Sequence, residues 1–350
     1  MEIRILIGLL LICVVAGLPV EEKSYNDIFT PNDYAILKNM TAYMYDDNEN
    51  LVKLTLDDYY MESVKETQED IENRVFFSLY TKKNPTVPQS LYVNDEYVLK
   101  NSNFDPTKPT RFITHGWMNS RNSPACYLSR DAYVKSEDCN VIVIDWSKIS
   151  IRPYIWASQR VGIVGQFVST MIDFLEEQGM DLSKTLLVGH SLGAHIVGLA
   201  ARNAQGKVNF VVGLDPAFPG FSLAGPGSRI SYDDAQYVEI IHTNGGLLGF
   251  LTAIGDSDFY PNGGEKQLGC LLDFSGACSH ARSFRFFAES IDSPRGFHGR
   301  KCNSFIRFKK GLCDDQSTSL MGHKSELHAY GTYYLVTNSK SPYANGPILV

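Results

Sequence analysis

The segment TLLVGHSLGAHIVGLAARNA, residues 185–204, decides the fold of this chain. It begins with a short apolar run and ends in a helical pattern, and the pentapeptide GHSLG lies between the two. A turn this tight requires glycine at positions 189 and 193, because a Cβ atom there would collide with the neighbouring strand or helix. The pattern therefore predicts that Ser191 is an exposed nucleophile at a strand-to-helix junction, beside the N–H groups of a helix N-terminus.

Apolar, β-branched runs recur on both sides of this segment: VFFSLYT, RFITHGW, NVIVIDW, FVVGLDPA and YVEIIHTN. A helix is predicted between NVIVIDW and residue 185. Its apolar face repeats at helical spacing and comprises Val161, Val164, Val168, Met171 and Leu175. Continuous apolar strands that alternate with helices predict an α/β fold, with a mostly parallel central sheet and helices on both faces. The chemistry of such sheets lies at the carboxyl ends of the strands.

Two aspartates end predicted strands. Asp215 follows the run FVVGL, 24 residues after Ser191, and can reach the same crevice. The order serine, acid, histidine is the one that nucleophile-elbow hydrolases use. Asp145 also ends a strand, but it precedes Ser191, so we interpret it as a capping or ion-pair residue beneath the site.

The histidines that follow Asp215 compete for the role of general base: His242, His280, His298, His323 and His328. His280 is favoured, because a disulfide at Cys278 would fix its backbone and a catalytic base must be held tightly. His242 ends a strand and is open to a structural role. His190 and His195 flank the nucleophile at a spacing of five, which is wrong for two metal ligands on one helix face, so we interpret both as packing residues.

The first twenty residues, MEIRILIGLLLICVVAGLPV, are typical of a secretory signal peptide, with cleavage expected after Gly17. The apolar run is shorter than the roughly 20 residues of a transmembrane helix. Beyond it lie six cysteines, an even number that argues for disulfides in an exported chain. Pairing sequence neighbours is the simplest of several connectivities and gives Cys126–Cys139, Cys270–Cys278 and Cys302–Cys313. A sequon for N-glycosylation begins at Asn39. We predict a secreted, extracellular protein.

Negative charge is concentrated near the N-terminus. Residues 21–72 carry 14 acidic and 4 basic side chains, whereas the net charge of the whole chain is −7. We predict a signal peptide at 1–17, an acidic N-terminal extension or pro-segment at 18–72, and an α/β domain at 73–345. The alternative for the acidic segment is an ordinary surface layer packed on the core.

The motifs GHSLGAH, GLDPAFPGF, HTNGG, DFYPNGG and CSHARSFRFFAESI resemble the pancreatic-lipase family of secreted α/β-hydrolase enzymes. The resemblance extends from about residue 74 to residue 338. It implies that Ser191, Asp215 and His280 form the catalytic triad, which selects one of the five histidines. Through RFITHGW it also implies that the backbone N–H groups of Trp117 and Leu192 form the oxyanion hole.

Other properties follow from the same resemblance. It implies a lipid substrate at a membrane or lipid-droplet interface, no cofactor and no nucleic-acid partner. Family members can carry calcium after the catalytic aspartate, within the stretch GPGSRISYDDAQ. That stretch keeps Asp234 but has Pro226 and Ser231 where acidic ligands are expected, so we predict no metal.

The loop between Cys270 and Cys278 is only LLDFSGA, whereas pancreatic triacylglycerol lipases have a long lid before the catalytic histidine. This short loop resembles the secreted phospholipase A1 and insect neutral lipase branch, and it favours amphipathic lipids whose head groups need water. We therefore predict a phospholipase A1 that releases the sn-1 fatty acid. A triacylglycerol or galactolipid lipase with a reduced lid is the first alternative. A yolk-type lipid-binding or storage protein is the second, and the intact triad argues against it. We expect no C-terminal β-sandwich after the α/β domain, and therefore no colipase partner.

Overall fold

The computed structural model describes residues 41–55, 68–270 and 273–348. The expected signal peptide at 1–17 and the sequon at Asn39 lie outside the described residues, as does much of the acidic segment at 18–72. No helix in the described part of the chain is long and apolar enough to cross a membrane.

The strands of the described residues are β1 (Thr41–Tyr45), β2 (Leu51–Thr55), β3 (Phe76–Tyr80), β4 (Gln89–Leu91), β5 (Thr110–Thr114), β6 (Asn140–Asp145), β7 (Thr185–His190), β8 (Phe210–Leu214), β9 (Tyr237–Ile241), β10 (Ser257–Pro261), β11 (His298–Lys301), β12 (Thr318–Leu320) and β13 (Gly331–Leu335). The α-helices are α1 (Gln68–Glu72), α2 (Glu96–Lys100), α3 (Pro124–Ser136), α4 (Ser147–Ser150), α5 (Tyr154–Gln159), α6 (Val161–Glu177), α7 (Leu192–Asn203), α8 (Ala277–Asp292) and α9 (Phe305–Lys309).

Eleven of these strands form one sheet in the order β12-β11-β13-β10-β9-β8-β7-β5-β6-β3-β4. The strands from β13 through β6 in this order run parallel to their neighbours, and antiparallel strands close both edges. Every residue of β7 and β8 is buried, which explains why these strands are continuous apolar runs rather than alternating ones. The sheet confirms the predicted α/β-hydrolase class of fold.

The helices cover both faces of the sheet. Helices α6 and α7 pack together on one face, and α3 and α8 pack together on the other. The predicted apolar face of α6 is confirmed, because Val161, Val164, Val168, Met171 and Leu175 have no exposed surface. The carboxyl ends of β7, β8 and β9 thus lie between two helical layers, where the functional residues gather.

The described part of the acidic segment is ordered on the core. Strands β1 and β2 form an antiparallel hairpin. The side-chain amide of Asn119 donates to the carbonyl of Tyr45 at 2.9 Å, and the backbone N–H of Ser120 donates to Asp47 at 2.9 Å. Glu49 pairs with Arg285 on α8. Residues 41–55 therefore contact the segment after β5 and helix α8.

Two predicted disulfides are present, Cys270–Cys278 and Cys302–Cys313. The predicted Cys126–Cys139 bridge is wrong, because both residues are buried free thiols. Cys126 lies in the first turn of α3 near Asp145, which ends β6, whereas Cys139 lies directly before the start of β6. A strand of this length separates its ends by about 15 Å, and a disulfide needs Cα atoms within about 7 Å. Proximity in sequence was a poor guide here, since a helix lies between the two cysteines.

Candidate active site

Ser191 lies in the sharp turn between β7 and α7, with φ 58° and ψ −122°. Few side chains are tolerated around this strained backbone. A Cβ atom on Gly189 would lie 2.1 Å from the carbonyl oxygen of Gly193, and one on Gly193 would lie 2.3 Å from the carbonyl oxygen of His115. The two glycines therefore allow the turn, as the sequence predicted, and the turn places the serine at the carboxyl edge of the sheet.

The structure brings His280 and Asp215 together beside this turn. The Nδ1 atom of His280 lies 2.5 Å from Oδ2 of Asp215, and both side chains are buried. The Nε2 atom of His280 has no hydrogen-bond partner among the described residues. Because Asp215 accepts from Nδ1–H, Nε2 carries the lone pair that can take up a proton.

A backbone loop holds the carboxylate of Asp215. The N–H groups of Thr243 and Asn244 donate to its Oδ1 at 2.7 and 3.0 Å. Gly249 closes over the same group, since a Cβ atom there would lie 2.4 Å from the carboxylate carbon. These donors could not be predicted from residue types, because every backbone carries N–H groups, and the sequence clue was the position of HTNGG at the end of β9.

The disulfide ring positions the histidine. His280 lies in the first turn of α8, two residues after Cys278. Inside the ring, Oδ2 of Asp273 accepts from the N–H groups of Cys278 and Ser279 at 2.6 and 3.2 Å. This carboxylate satisfies free N–H groups at the helix N-terminus, where negative charge is favourable. The capping role of Asp273 was not predicted from the sequence, although an aspartate shortly before a helix is a recognisable capping signal.

Both histidines that flank the nucleophile are packing residues, as predicted. The ring of His190 lies 4.4 Å from that of His280, and burial together with this neighbour holds the pKa of His190 well below its usual range. His195 contacts the carbonyl of Ala217 at 2.8 Å. Burial lowers the pKa of His195 to about 3, so it is a neutral residue that fastens the chain after Asp215 to α7.

The expected oxyanion residues lie beside the serine, Leu192 as its neighbour in the chain and Trp117 through its own neighbour Gly116. Leu192 is the first residue of α7, and Trp117 follows Gly116, whose Cβ position lies 2.8 Å from Cβ of Ser191. The indole N–H of Trp117 donates to the carbonyl of Arg152 at 2.7 Å, which fixes the segment after β5. The backbone N–H groups of these two residues thus belong to segments that border Ser191.

Asp145 has the supporting role expected of it. Its Oδ1 accepts from the N–H of Ser147 at 3.0 Å and lies 3.3 Å from Nε2 of His115. Burial raises the pKa of Asp145, but the contacts with His115 and Ser147 outweigh it and bring the pKa to about 2. His115 in turn stacks on Trp146 and braces the segment that leads to Trp117.

Three of the other candidate histidines have partners elsewhere. His242 contacts Asp258 at 2.8 Å, and both side chains are buried. His323 contacts Glu137 at 2.5 Å, and His298 lies 3.1 Å from the carbonyl oxygen of Arg295. Of the five candidates, His280 is the one whose ring contacts Asp215.

Hydrogen bonds within the chain hold Asp234, in the stretch where calcium was considered. Oδ1 of Asp234 accepts from Nε of Arg202 at 2.6 Å, and its Oδ2 accepts from the N–H of Ser231 at 2.8 Å. A guanidinium group therefore already satisfies the buried carboxylate, and these residues do not fit a calcium ion. Across residues 41–55, 68–270 and 273–348, no group of three or more His, Cys, Asp or Glu side chains is arranged to hold a metal.

Apolar side chains border the site on the side of the disulfide ring. Phe274, within the ring, is 92% exposed, and Leu247, on the loop after β9, is 41% exposed. Leu247 lies against Gly276, so the two loops are neighbours. Residues 271 and 272 of the ring lie outside the described residues.

A lipase family model matches residues 41–343. Pancreatic triacylglycerol lipase of Cavia porcellus is 33% identical over 303 residues, which cover 77% of this chain and 65% of that protein. Pancreatic lipase-related protein 2 of Rattus norvegicus is 33% identical, covering 74% and 60%. Inactive pancreatic lipase-related protein 1 of Canis lupus familiaris is 34% identical, covering 77% and 64%. The chain thus spans less than two thirds of the length of these relatives.

Similarity to solved structures is weaker. An α/β-hydrolase enzyme from a Medee basin deep-sea metagenome library has 15% sequence identity and a TM-score of 0.28, with 60% of this chain and 73% of that chain covered. Such a distant likeness adds little to what the order of the sheet already shows about the fold.

Proposed function

The chain belongs to the lipase family, and we propose that it hydrolyses lipid carboxylic esters with Ser191 as nucleophile, His280 as general base and Asp215 as the acid that orients the base. The observation that carries this proposal is the 2.5 Å contact between His280 and Asp215 beside the strained turn of Ser191. Sequence similarity alone does not decide activity, because an inactive relative is as similar to this chain as the triacylglycerol lipases are.

In the proposed mechanism, Nε2 of His280 takes the hydroxyl proton as Ser191 attacks the ester carbonyl. The resulting oxyanion is stabilised by the N–H groups of Leu192 and Trp117. His280 then protonates the departing alcohol, and the acyl group stays on the serine. Water attacks the acyl-enzyme by the same route in reverse and releases the fatty acid. Because the base must be neutral to accept the proton, activity is expected to fall in acid.

We propose a phospholipid as the substrate, cleaved at the sn-1 ester. The disulfide ring that precedes His280 closes after a separation of only 8 residues, so it can cover little of the site. A small cover suits an amphipathic lipid, since the head group remains in water while the acyl chain reaches the serine. The exposed Phe274 and Leu247 provide apolar contact for such a lipid surface.

A triacylglycerol lipase is the second candidate, because relatives with that name are 33% identical to this chain. A galactolipid substrate fits the same short ring. A lipid-binding protein without activity is disfavoured by the geometry of Ser191, His280 and Asp215. We also propose that the protein is exported, since two disulfides suit an oxidising compartment.

Two assays of the full chain test these proposals. The Ser191→Ala variant should lose at least about 10³-fold in kcat on a soluble ester with little change in stability, because the nucleophile is removed. Unchanged hydrolysis would refute the mechanism. Phosphatidylcholine with different acyl chains at its two positions should release the sn-1 chain, and faster hydrolysis of a triglyceride emulsion would favour the second candidate.

A further inference from the structure

A second buried histidine–aspartate pair lies directly behind the acid of the proposed triad. The Nε2 atom of His242 lies 2.8 Å from Oδ1 of Asp258, and its Nδ1 atom lies 2.6 Å from the carbonyl oxygen of Phe250. The side chain of His242 has no exposed surface, and that of Asp258 is 2% exposed. The proposed mechanism gives this pair no role, although burying it is energetically costly.

The hydrogen-bond partners hold the ring of His242 on two sides. The carbonyl oxygen of Phe250 can only accept, so Nδ1 of His242 carries a proton and donates to it. On the other side, Nε2 forms a hydrogen bond with Oδ1 of Asp258, which also accepts from the N–H of Ile254 at 2.9 Å. The ring stacks on Tyr260 with ring centres 4.3 Å apart and planes 3° apart.

His242 closes the loop that grips the triad acid. Thr243 follows it directly and donates its N–H to Asp215. At the other end of the loop, Phe250 offers its carbonyl to the ring of His242 and donates its N–H to the carbonyl of Pro216 at 3.0 Å. The ring of His242 thus ties both ends of residues 243–249 to one point, and the carboxylate of Asp215 lies inside the loop.

We propose that His242 is a positioning residue of the reaction, fixed by Asp258, and that its two contacts, with Phe250 and with Asp258, keep the backbone donors of Thr243 and Asn244 on Asp215. A side chain that cannot make both contacts would release one end of the loop. The loop would then shift, the carboxylate would move with it, and His280 would lose its orientation. This inference rests on the proposed triad.

The test uses His242→Gln and Asp258→Asn in the full chain, assayed on p-nitrophenyl butyrate. Active sites are counted by titration to completion with an organophosphonate, and kcat is calculated per titrated site. Unfolded molecules are thereby excluded from the comparison. We expect His242→Gln to lower kcat by about 10- to 100-fold, the effect of a small misplacement in a catalytic site, with KM nearly unchanged. Asp258→Asn should lose less, because an amide at this position can still form a hydrogen bond with Nε2.

A matched control and a fallback keep the test decisive. His323→Gln also breaks a histidine–carboxylate contact, with Glu137, but it should leave kcat unchanged. If either single variant does not fold, the double variant His242→Gln/Asp258→Asn is assayed in its place. The double variant leaves no unpaired buried charge. A wild-type kcat per titrated site in these variants would overturn the inference while the proposed function stands. Activity that survives Ser191→Ala would overturn the proposed function itself.

Discussion

Single residues at this site have conformations and partners that few other residue types could supply. Ser191 and Asp215 both have positive φ angles, 58° and 46°, which non-glycine residues seldom adopt. Such strain persists only where the surrounding structure enforces it, and here packed glycines and backbone hydrogen bonds do so. The strain lies where the chemistry is proposed to occur.

Glu239 on β9 is another buried residue whose charge state matters, and it predicts a pH-dependent stability. Burial, reinforced by Asp258, raises its pKa to about 8, although Ser325 and the N–H of Gly322 oppose the shift. From about pH 5 to 8 the folded protein keeps this proton and the unfolded chain has released it. Stability therefore falls as pH rises through this window, by up to about 1.4 kcal/mol per pH unit.

The Glu239→Gln variant keeps an acceptor for Gly322 and has no proton to lose. Its free energy of unfolding, measured with urea from pH 5 to 8, should increase relative to that of the wild type as pH rises. A difference between the two proteins that is the same at pH 5 and pH 8 would contradict the assigned protonation of Glu239.

At the scale of elements, helix α8 and the ring before it act as one unit. The disulfide fixes the start of the helix, Asp273 caps it, and His280 points from its first turn. The ring therefore contributes to the site by holding a helix end, besides forming the small cover that the sequence suggested.

Removing the Cys270–Cys278 disulfide should lower activity more than removing the Cys302–Cys313 disulfide does. The variant Cys270→Ser/Cys278→Ser should lose about 2.5 kcal/mol of stability on the chain-entropy model, and kcat should fall because the first turn of α8 loosens. The control Cys302→Ser/Cys313→Ser opens a ring of similar size, with a separation of 11 residues, and should lose similar stability but keep kcat. Urea unfolding and ester hydrolysis measure the two effects. Equal losses of kcat in both variants would show that the ring before His280 has no special role.

At the scale of the whole molecule, the N-terminal hairpin connects segments that are far apart in sequence. Met44 and Tyr45 line a small cleft together with His190, His280 and Phe284. Asp47 binds the segment after β5, and Glu49 pairs with α8. The hairpin thus bridges the segment that carries Trp117 and the helix that carries His280.

The variant Asp47→Ala/Glu49→Gln should loosen this bridge. Hydrogen bonds to a charged group contribute about 1.5–3 kcal/mol when buried, and exposed ion pairs about 0–1 kcal/mol. The opening of residues 41–55 should therefore increase about tenfold or more, measured by hydrogen exchange, while β7 keeps its protection. Substitution of the exposed Lys53 by Gln is the control, and unchanged exchange in the double variant would show that the hairpin is held by other contacts.

The sequence by itself determined the local features of this protein. The spacing of GHSLG fixed the turn at Ser191, apolar runs marked the inner strands, and the helical repeat marked the buried face of α6. These features depend on residues that are close along the chain, so local sterics and periodicity suffice to predict them.

Only the tertiary structure decided which distant residues meet. It separated Cys126 from Cys139 and placed Arg202 on Asp234 where calcium was in question, whereas the family resemblance of the sequence had already pointed to His280 rather than His242. Such contacts depend on the order and register of the strands, because the sheet brings together the carboxyl ends of segments that lie far apart in sequence. The backbone N–H groups that hold Asp215 are the clearest example, since every residue except proline has one and only the fold determines where it points.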